Sequence, residues 1–267
     1  MKNSRATGLK NKEGKKMKIG LALSGGGVRG VAHAGVIKAL QEHGILINQI
    51  SGTSAGALVG ALYAKGIEME EIFHFFEKST LFDPRKIAFK QAGFIKSSVF
   101  TEHLASYIPE NSFDSLEIPL RVTATNLYAG KLKIFTEGEL YLPILASAAF
   151  PGIFTPVEIE GNTYVDGGVL NNFPINLLED CDIKIGSYVN KVDLTVQKLK
   201  HSYDVAGRAY TINQYQQDKI KFSQCDLLIE PDLFNYGLFS FNAMKDIFQI
   251  GYETASQGLK NSTIFDY

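Results

Sequence analysis

Ile50-Ser51-Gly52-Thr53-Ser54-Ala55-Gly56-Ala57-Leu58 is the stretch on which the fold turns. It holds a G-x-S-x-G pentapeptide that closes an apolar run (Ile45, Leu46, Ile47, Ile50) and opens a small-residue helical run reaching Ala64. Strand, sharp turn and helix in that order describe a nucleophile elbow, with the central serine held out on strained backbone. A Cβ at Gly52 or Gly56 would crowd such a turn. Taken alone, the pentapeptide is equally a Gly/Ser turn that happens to fit. Its setting decides.

Upstream, Lys18 to Ser24 alternates Ile19, Leu21 and Leu23 with small residues, which predicts a buried strand. It runs into Gly25-Gly26-Gly27-Val28-Arg29-Gly30. A helical pattern follows, with Val36, Ile37 and Leu40 on one face, and stops at His43-Gly44. A strand over 45–51, the elbow and a helix to Lys65-Gly66 come next. This order predicts an α/β fold, a mostly parallel central sheet covered by helices on both faces.

Further on, a helix is expected from Glu68 to about Ser79, and a short one through Leu104. Strands are expected at Leu120–Ala124 and Lys131–Phe135, and a helix from Glu139 to Ala149. Ile159-Glu160-Gly161-Asn162-Thr163 reads as a hairpin turn whose return strand delivers Val165-Asp166-Gly167-Gly168. Strands at Ile183–Val189 and Leu227–Ile229 flank a long polar-faced helix around Val205, Ala209, Ile212 and Ile220. A final helix repeats Met244, Ile247, Phe248, Gly251 and Ala255 at helical spacing. No internal repeat or clean linker interrupts this series, so residues 17–267 are expected to form a single domain.

Residues 1–16 depart from it. Lys2, Arg5, Lys10, Lys12, Lys15 and Lys16 stand there against Glu13 alone, which predicts a disordered basic tail, with Met17 as an alternative start. The whole chain of 267 residues has a formal net charge of −1, so no global field argues for nucleic acid. There is no signal-like apolar segment and no run of membrane-spanning length, which predicts a cytoplasmic location. Cys181 and Cys225 each precede an aspartate at the start of an apolar run and read as core thiols.

Gly25, Gly27 and Gly30 fit G-x-G-x-x-G between a strand and a helix, so a nucleotide site must be tested first. A dinucleotide fold would want an acid at the end of the second strand, which here ends in Ser51-Gly52. A P-loop would want Gly-Lys-Ser/Thr, where this chain has Gly30-Val31. The loop suits another task. Unobstructed backbone N–H groups at a helix start form a concave site for negative charge, such as the oxyanion of an ester-hydrolysis intermediate. Two adjacent parallel strands would bring this loop and Ser54 to the same sheet edge.

A serine hydroxyl also needs a base. The histidines are His33, His43, His74, His103 and His201, and only His201 follows Asp166, as a serine–acid–histidine order requires. It sits in a polar stretch that reads as solvated loop. Asp166 ends a strand and precedes two glycines, which let backbone approach closely; a plain turn aspartate is the equal alternative.

Together, Gly25-Gly26-Gly27-Val28-Arg29-Gly30, Gly52-Thr53-Ser54-Ala55-Gly56 and Asp166-Gly167-Gly168 resemble the patatin-like phospholipases, in order and in context. Ala146-Ser147-Ala148-Ala149-Phe150-Pro151-Gly152-Ile153-Phe154-Thr155-Pro156 and Gly168-Val169-Leu170-Asn171-Asn172-Phe173-Pro174 extend the likeness, which covers about residues 18 to 180 and is most similar to compact bacterial members. The resemblance implies a patatin-like architecture and a Ser–Asp dyad acting on lipid acyl esters through an acyl-enzyme. Ser54 would be the nucleophile, Asp166 the base, and Gly26, Gly27 and Val28 the oxyanion hole. It implies no metal and no cofactor. Arg29 would add positive field, hold a lipid phosphate, or form a structural ion pair.

Residues 81–100 interleave Phe82, Ile87, Phe89, Phe94 and Phe100 with Arg85, Lys86, Lys90 and Lys96. They cap an acyl pocket or touch an anionic surface, or else pack into the core. Leu233-Phe234-Asn235-Tyr236-Gly237-Leu238-Phe239 carries the same alternatives. At most, transient contact with a membrane surface is expected of either stretch. Two other functions fit the sequence: a small-ester esterase with a histidine-assisted triad, and a lipid-binding or regulatory protein with little turnover.

Overall fold

The computed structural model describes residues 16–78, 97–193, 195, 202–238 and 240–265. In chain order these contain β1 (Ile19–Leu23), α1 (Val31–Glu42), β2 (Gln49–Thr53), α2 (Ala55–Ala64), α3 (Met69–Lys78), α4 (Ser97–Ala105), β3 (Leu120–Asn126), β4 (Lys131–Phe135), α5 (Tyr141–Ser147), β5 (Val157–Ile159), β6 (Asn162–Asp166), β7 (Ile183–Ser187), α6 (Ser202–Lys219), β8 (Leu227–Ile229) and α7 (Met244–Lys260).

The strands form one eight-stranded sheet. Five of them, in the order β3-β2-β1-β7-β8, are parallel. The pairs β3–β4, β3–β6 and β5–β6 are antiparallel. The expected mostly parallel sheet is therefore present, with an antiparallel flank.

Strand periodicity divides the core into two layers. Leu21 and Leu23 point into the larger layer, packed with Leu40, Leu58 and Ile247 of α1, α2 and α7. Ala22 points the other way, into a cluster with Phe173, Ile175, Leu178 and Tyr188, against which Tyr215 of α6 packs. Successive strand side chains face opposite sides, so both faces of β1 are covered. Full burial of a Leu or Ile side chain contributes roughly 1.5–3 kcal/mol. The central strands thus hold the sheet edge on which the site is built.

β2 begins later than its apolar run suggests. Ile45 and Ile47 are buried, yet pairing with β1 starts only at Gln49, opposite Gly20. Ile45 N–H donates instead to the Leu40 carbonyl at 3.0 Å, at the end of α1, and the backbone first reaches β1 at Asn48, whose N–H donates to the Ile19 carbonyl at 2.8 Å. Apolar alternation marks burial, and a ladder partner is needed besides. The hairpin between β5 and β6 is as expected, with Glu160 (φ 49°) and Gly161 (φ 72°) both left-handed.

β3 is the ruler of the site. It pairs with β2 through Thr53↔Thr123, with β6 through Asp166↔Ala124, and with β4 over Val122 to Asn126. A strand has two edges, and β4 overlaps both other partners, so β2 and β6 share the opposite edge. They run toward each other and meet end to end, at positions 123 and 124. Thr53, and after it Ser54, therefore arrives beside Asp166.

Candidate active site

Ser54 adopts φ 54°, ψ −123°, between β2 and α2. Such a conformation costs a non-glycine residue on the order of 1–3 kcal/mol and persists only where surroundings enforce it. Here they do. Ser54 N–H donates to Ser147 Oγ at 2.8 Å, and the Ser54 carbonyl accepts from Leu58 N–H at 3.1 Å, starting the helix. Thr53 Oγ1 pairs with Thr123 Oγ1 at 2.6 Å and donates to the Asn171 carbonyl at 2.9 Å. A Cβ on Gly56 would stand 2.5 Å from the Ser24 carbonyl oxygen, so only glycine lets α2 start this close to the end of β1.

The glycine loop lies beside the elbow. Gly25 N–H donates to the Asn172 carbonyl at 3.1 Å, and Asn190 Nδ2 donates to the Gly25 carbonyl at 2.5 Å. Gly27 to Gly30 form a short 3-10 turn leading into α1, with Gly27 at φ 56°. Val28 N–H donates to the Leu238 carbonyl at 3.0 Å. Arg29 donates from Nε to the Tyr236 carbonyl at 2.6 Å, and among the described residues it has no carboxylate partner. Gly52, Thr53 and Ala55 are fully enclosed around Ser54, and Gly30 packs against the Ala55 side chain.

Asp166 is almost wholly buried, at 3% exposure. One carboxylate oxygen accepts from Gly168 N–H at 2.7 Å. Its backbone is fixed too, since Thr125 Oγ1 donates to its carbonyl at 3.0 Å and its N–H donates to the Ala149 carbonyl at 3.0 Å. Burial pushes the carboxyl up to about 7, against the opposing pull of the Gly168 N–H and the Ser54 hydroxyl. The Ser54 hydroxyl favours the charged carboxylate as a neighbouring donor, without the closed geometry of the bonds just described. Catalytic contacts of this kind are often long before substrate arrives.

Gly26, Gly27, Arg29, Ser54 and Asp166 all line one cavity of about 80 Å³. Gly25, Val28, Gly30, Gly52, Thr53, Ala55, Gly56, Gly167 and Gly168 form the backbone around it rather than its wall. Phe150, Asn172, Asn190, Tyr210 and Gln214 also line it. The sequence singled out none of these as site residues, although Phe150 and Asn172 lie in the motifs quoted above. Nor did it mark Ser147 as the acceptor that holds the elbow. α6 was expected as a helix, but nothing marked it as part of the site, because a polar helix face reads as solvated.

Among the described histidines none lines this cavity. His33 is fully buried beneath the glycine loop, with Nε2 2.8 Å from the Ser24 carbonyl and Nδ1 2.8 Å from Ser187 Oγ. The carbonyl accepts only, so Nε2 carries the proton and Nδ1 accepts from Ser187. His43 bonds the Ala39 carbonyl, His74 the Glu77 carboxylate, and His103 the Phe75 carbonyl. His201 lies outside the described residues, as do residues 1–15 of the basic tail, residues 79–96 and Phe239. Phe100 is buried, Leu233 is buried and Phe234 is 39% exposed. Cys181 is buried, Cys225 half-buried, and both are free thiols.

A serine on an elbow, a buried carboxyl beside it and a glycine loop at a helix start thus come together on one α/β sheet. Residues 21–178 match the family model described as patatin-like phospholipase, and the chain belongs to that family. It is 37% identical over 164 residues to an uncharacterized NTE family protein of Mycobacterium tuberculosis, covering 59% of this chain and 44% of that one. It is 34% identical over 171 residues to the lysophospholipase NTE1 of Mycosarcoma maydis, covering 61% of this chain and 9% of that one. The match thus spans less than half the length of either relative.

Among solved structures, VipD from Legionella pneumophila superposes with a TM-score of 0.53 at 15% identity, over 94% of this chain and 69% of that one. A chain of the ExoU–SpcU complex from Pseudomonas aeruginosa gives 0.51 at 17% identity, over 91% of this chain and 51% of that one. These likenesses concern the fold. No helix among the described residues is long and apolar enough to cross a membrane.

Proposed function

We propose that the chain is a lipid acyl hydrolase in which Ser54 and Asp166 act as a dyad. The observation that carries this reading is the end-to-end meeting of β2 and β6 on β3, which sets a strained serine beside a buried carboxyl in one cavity. Ser54 Oγ attacks the ester carbonyl carbon and Asp166 takes the hydroxyl proton. A base with a pKa near 7 suits this transfer at neutral pH. The oxyanion is stabilised by the backbone N–H groups of Gly26 and Gly27, in a site largely shielded from water. Asp166 returns the proton to the leaving alcohol, which departs and leaves an acyl-serine. It then takes a proton from water, whose oxygen attacks the acyl carbon; the bond to Ser54 Oγ breaks, Asp166 returns that proton to Oγ, and the fatty acid is freed.

The family and the fungal lysophospholipase support a phospholipid or lysophospholipid ester as substrate. Arg29 lines the cavity with, among the described residues, its Nε alone engaged, and its guanidinium suits a lipid phosphate. No metal or cofactor takes part in these steps. We take residues 17–267 as one catalytic unit in the cytoplasm, touching a membrane surface only transiently.

A panel of acyl esters of rising chain length tests this, with Ser54→Ala as control. Preference for medium or long chains supports the lipid reading. Preference for short chains would make the protein an ordinary esterase, and no turnover would make it a binding protein.

A further inference from the structure

The cavity has a second layer, built by a segment that lies beyond the family-matched residues 21–178. α6 and the turn after it bring Asp218 and Lys221 against the loop that follows Gly168. Asp218 is buried at 1% exposure, and its two carboxylate oxygens have different partners. Oδ1 accepts from Lys221 Nζ at 2.9 Å, and Oδ2 accepts from Asn172 Nδ2 at 3.1 Å. Lys221 Nζ also donates to Asn171 Oδ1 at 2.7 Å and to the Phe173 carbonyl at 2.9 Å. Residues 171, 172 and 173 are therefore held from one ion pair, between the buried Asp218 and the partly buried Lys221.

Asn172 stands between the two loops of the site. Its carbonyl accepts from Gly25 N–H, and its Oδ1 lies where a Cβ on Gly25 would go. The same Oδ1 would be 3.1 Å from a Cβ on Gly168. A side-chain amide can present either end, and the two ends have opposite polarity. A carboxylate accepts hydrogen bonds and donates none, so Asp218 admits only the Nδ2 end. The Oδ1 end is thereby forced toward Gly25 and Gly168. Lys221 supplies the counter-charge that makes a buried carboxylate tolerable there.

We propose that Asp218, paired with Lys221, is a positioning residue of the active site, which fixes the amide of Asn172 as a wedge between the glycine loop and the Asp166-Gly167-Gly168 turn. Asp218 touches no reacting atom; it acts through Asn172. Losing it frees the wedge to flip or withdraw, and the Gly26 and Gly27 donors then drift from the position the oxyanion will occupy. The interaction that suffers exists only in the transition state, so kcat falls while KM holds. This rests on the acyl-hydrolase reading above.

The test uses the full chain with Asp218→Ala and Asp218→Asn. Steady-state kinetics on an acyl p-nitrophenyl ester are read beside thermal midpoints and hydrogen exchange of the Gly25 to Val28 amides. Asp218→Asn keeps the shape but no longer dictates the orientation of Asn172. Asp218→Ala should lower kcat about tenfold, the factor that corresponds to about 1.4 kcal/mol, with KM changed less than about twofold. Asp218→Asn should fall between it and wild type, and loop exchange should rise in the same order. If both variants fold and keep kcat and loop exchange at wild-type values, the proposal is wrong. A rise in KM alone would overturn it as well. Wild-type protein without ester turnover would instead sink the hydrolase reading, and the exchange data would still decide the positioning claim.

Discussion

The N–H of Val28 donates to the carbonyl of Leu238 at 3.0 Å, so one of the three loop donors is already engaged by the chain itself. Of these three residues Gly26 and Gly27 line the cavity, so the proposed oxyanion role falls to their N–H groups. The same contact closes the space over Gly27, where a Cβ would stand 2.7 Å from the Leu238 oxygen.

Gly27→Ala therefore combines two faults, a left-handed φ of 56° and a clash with backbone. The loop must shift, and a donor shifted off the oxyanion costs roughly 2.7–4 kcal/mol of transition-state stabilisation. We expect kcat to drop about 10²-fold or more with KM little changed. A rise in KM alone would mean that the loop holds a ground-state anion.

Ser147→Ala removes the acceptor of the Ser54 N–H, a bond of 2.8 Å at the most strained point of the site. A buried donor left unsatisfied costs about 1–3 kcal/mol. Denaturant unfolding should show that loss, and kcat should fall with it because the elbow is no longer held. Unchanged stability and unchanged kcat would show that Ser54 needs no such support.

Asp166 and His33 make opposite contributions to stability over much the same pH range. The carboxyl is raised to about 7, so the stability linked to its protonated form is full below about pH 4 and is lost as pH rises through 7. Burial lowers His33 to about 4, so the stability linked to its neutral form is full above about pH 6.5 and is lost as pH falls toward 4. The two slopes oppose each other between about pH 4 and 6.5. Asp166→Asn removes one of them, and the variant should lose stability more steeply on acidification than wild type. Parallel unfolding curves across this window would contradict the assignment of either group.

Much of the fold was legible because its signals are local. Alternation gave β1, and glycines at 44 and 66 closed α1 and α2, with φ of 71° and 84°. Glu160-Gly161 gave the hairpin. The boundary of β2 was not legible, because Ile45 and Ile47 bury themselves without a ladder partner. The site was legible as motifs but not as geometry. Nothing local in the chain says that β2 and β6 share an edge of β3, since that depends on pairings between residues 53 and 123 and between 124 and 166. α6 was legible as a polar-faced helix, but its place at the site was not, for a physical reason. Its Tyr210, Gln214 and Asp218 are polar at helical spacing, and only contact with the site distinguishes such a stripe from a solvated face.

Asp166→Asn also tests the dyad by activity. It keeps the side-chain shape and removes the group that accepts the serine proton, so a loss on the order of 10⁴-fold is expected, as when a triad aspartate is neutralised. The wild-type profile of kcat/KM should rise through about pH 7 and flatten above it. His33→Ala, corrected for folding, and His201→Ala should each retain most activity. A folded His201→Ala protein as inactive as Ser54→Ala would show a triad instead.

The most direct measurement is covalent. A fluorophosphonate probe phosphonylates an activated serine Oγ with loss of fluoride, and peptide mapping then locates the adduct. We predict one adduct, on Ser54, at neutral pH, abolished in Ser54→Ala and greatly slowed in Asp166→Asn. An adduct on Ser147 in the wild type, or labelling that persists in folded Ser54→Ala, would contradict the assignment of Ser54 as nucleophile.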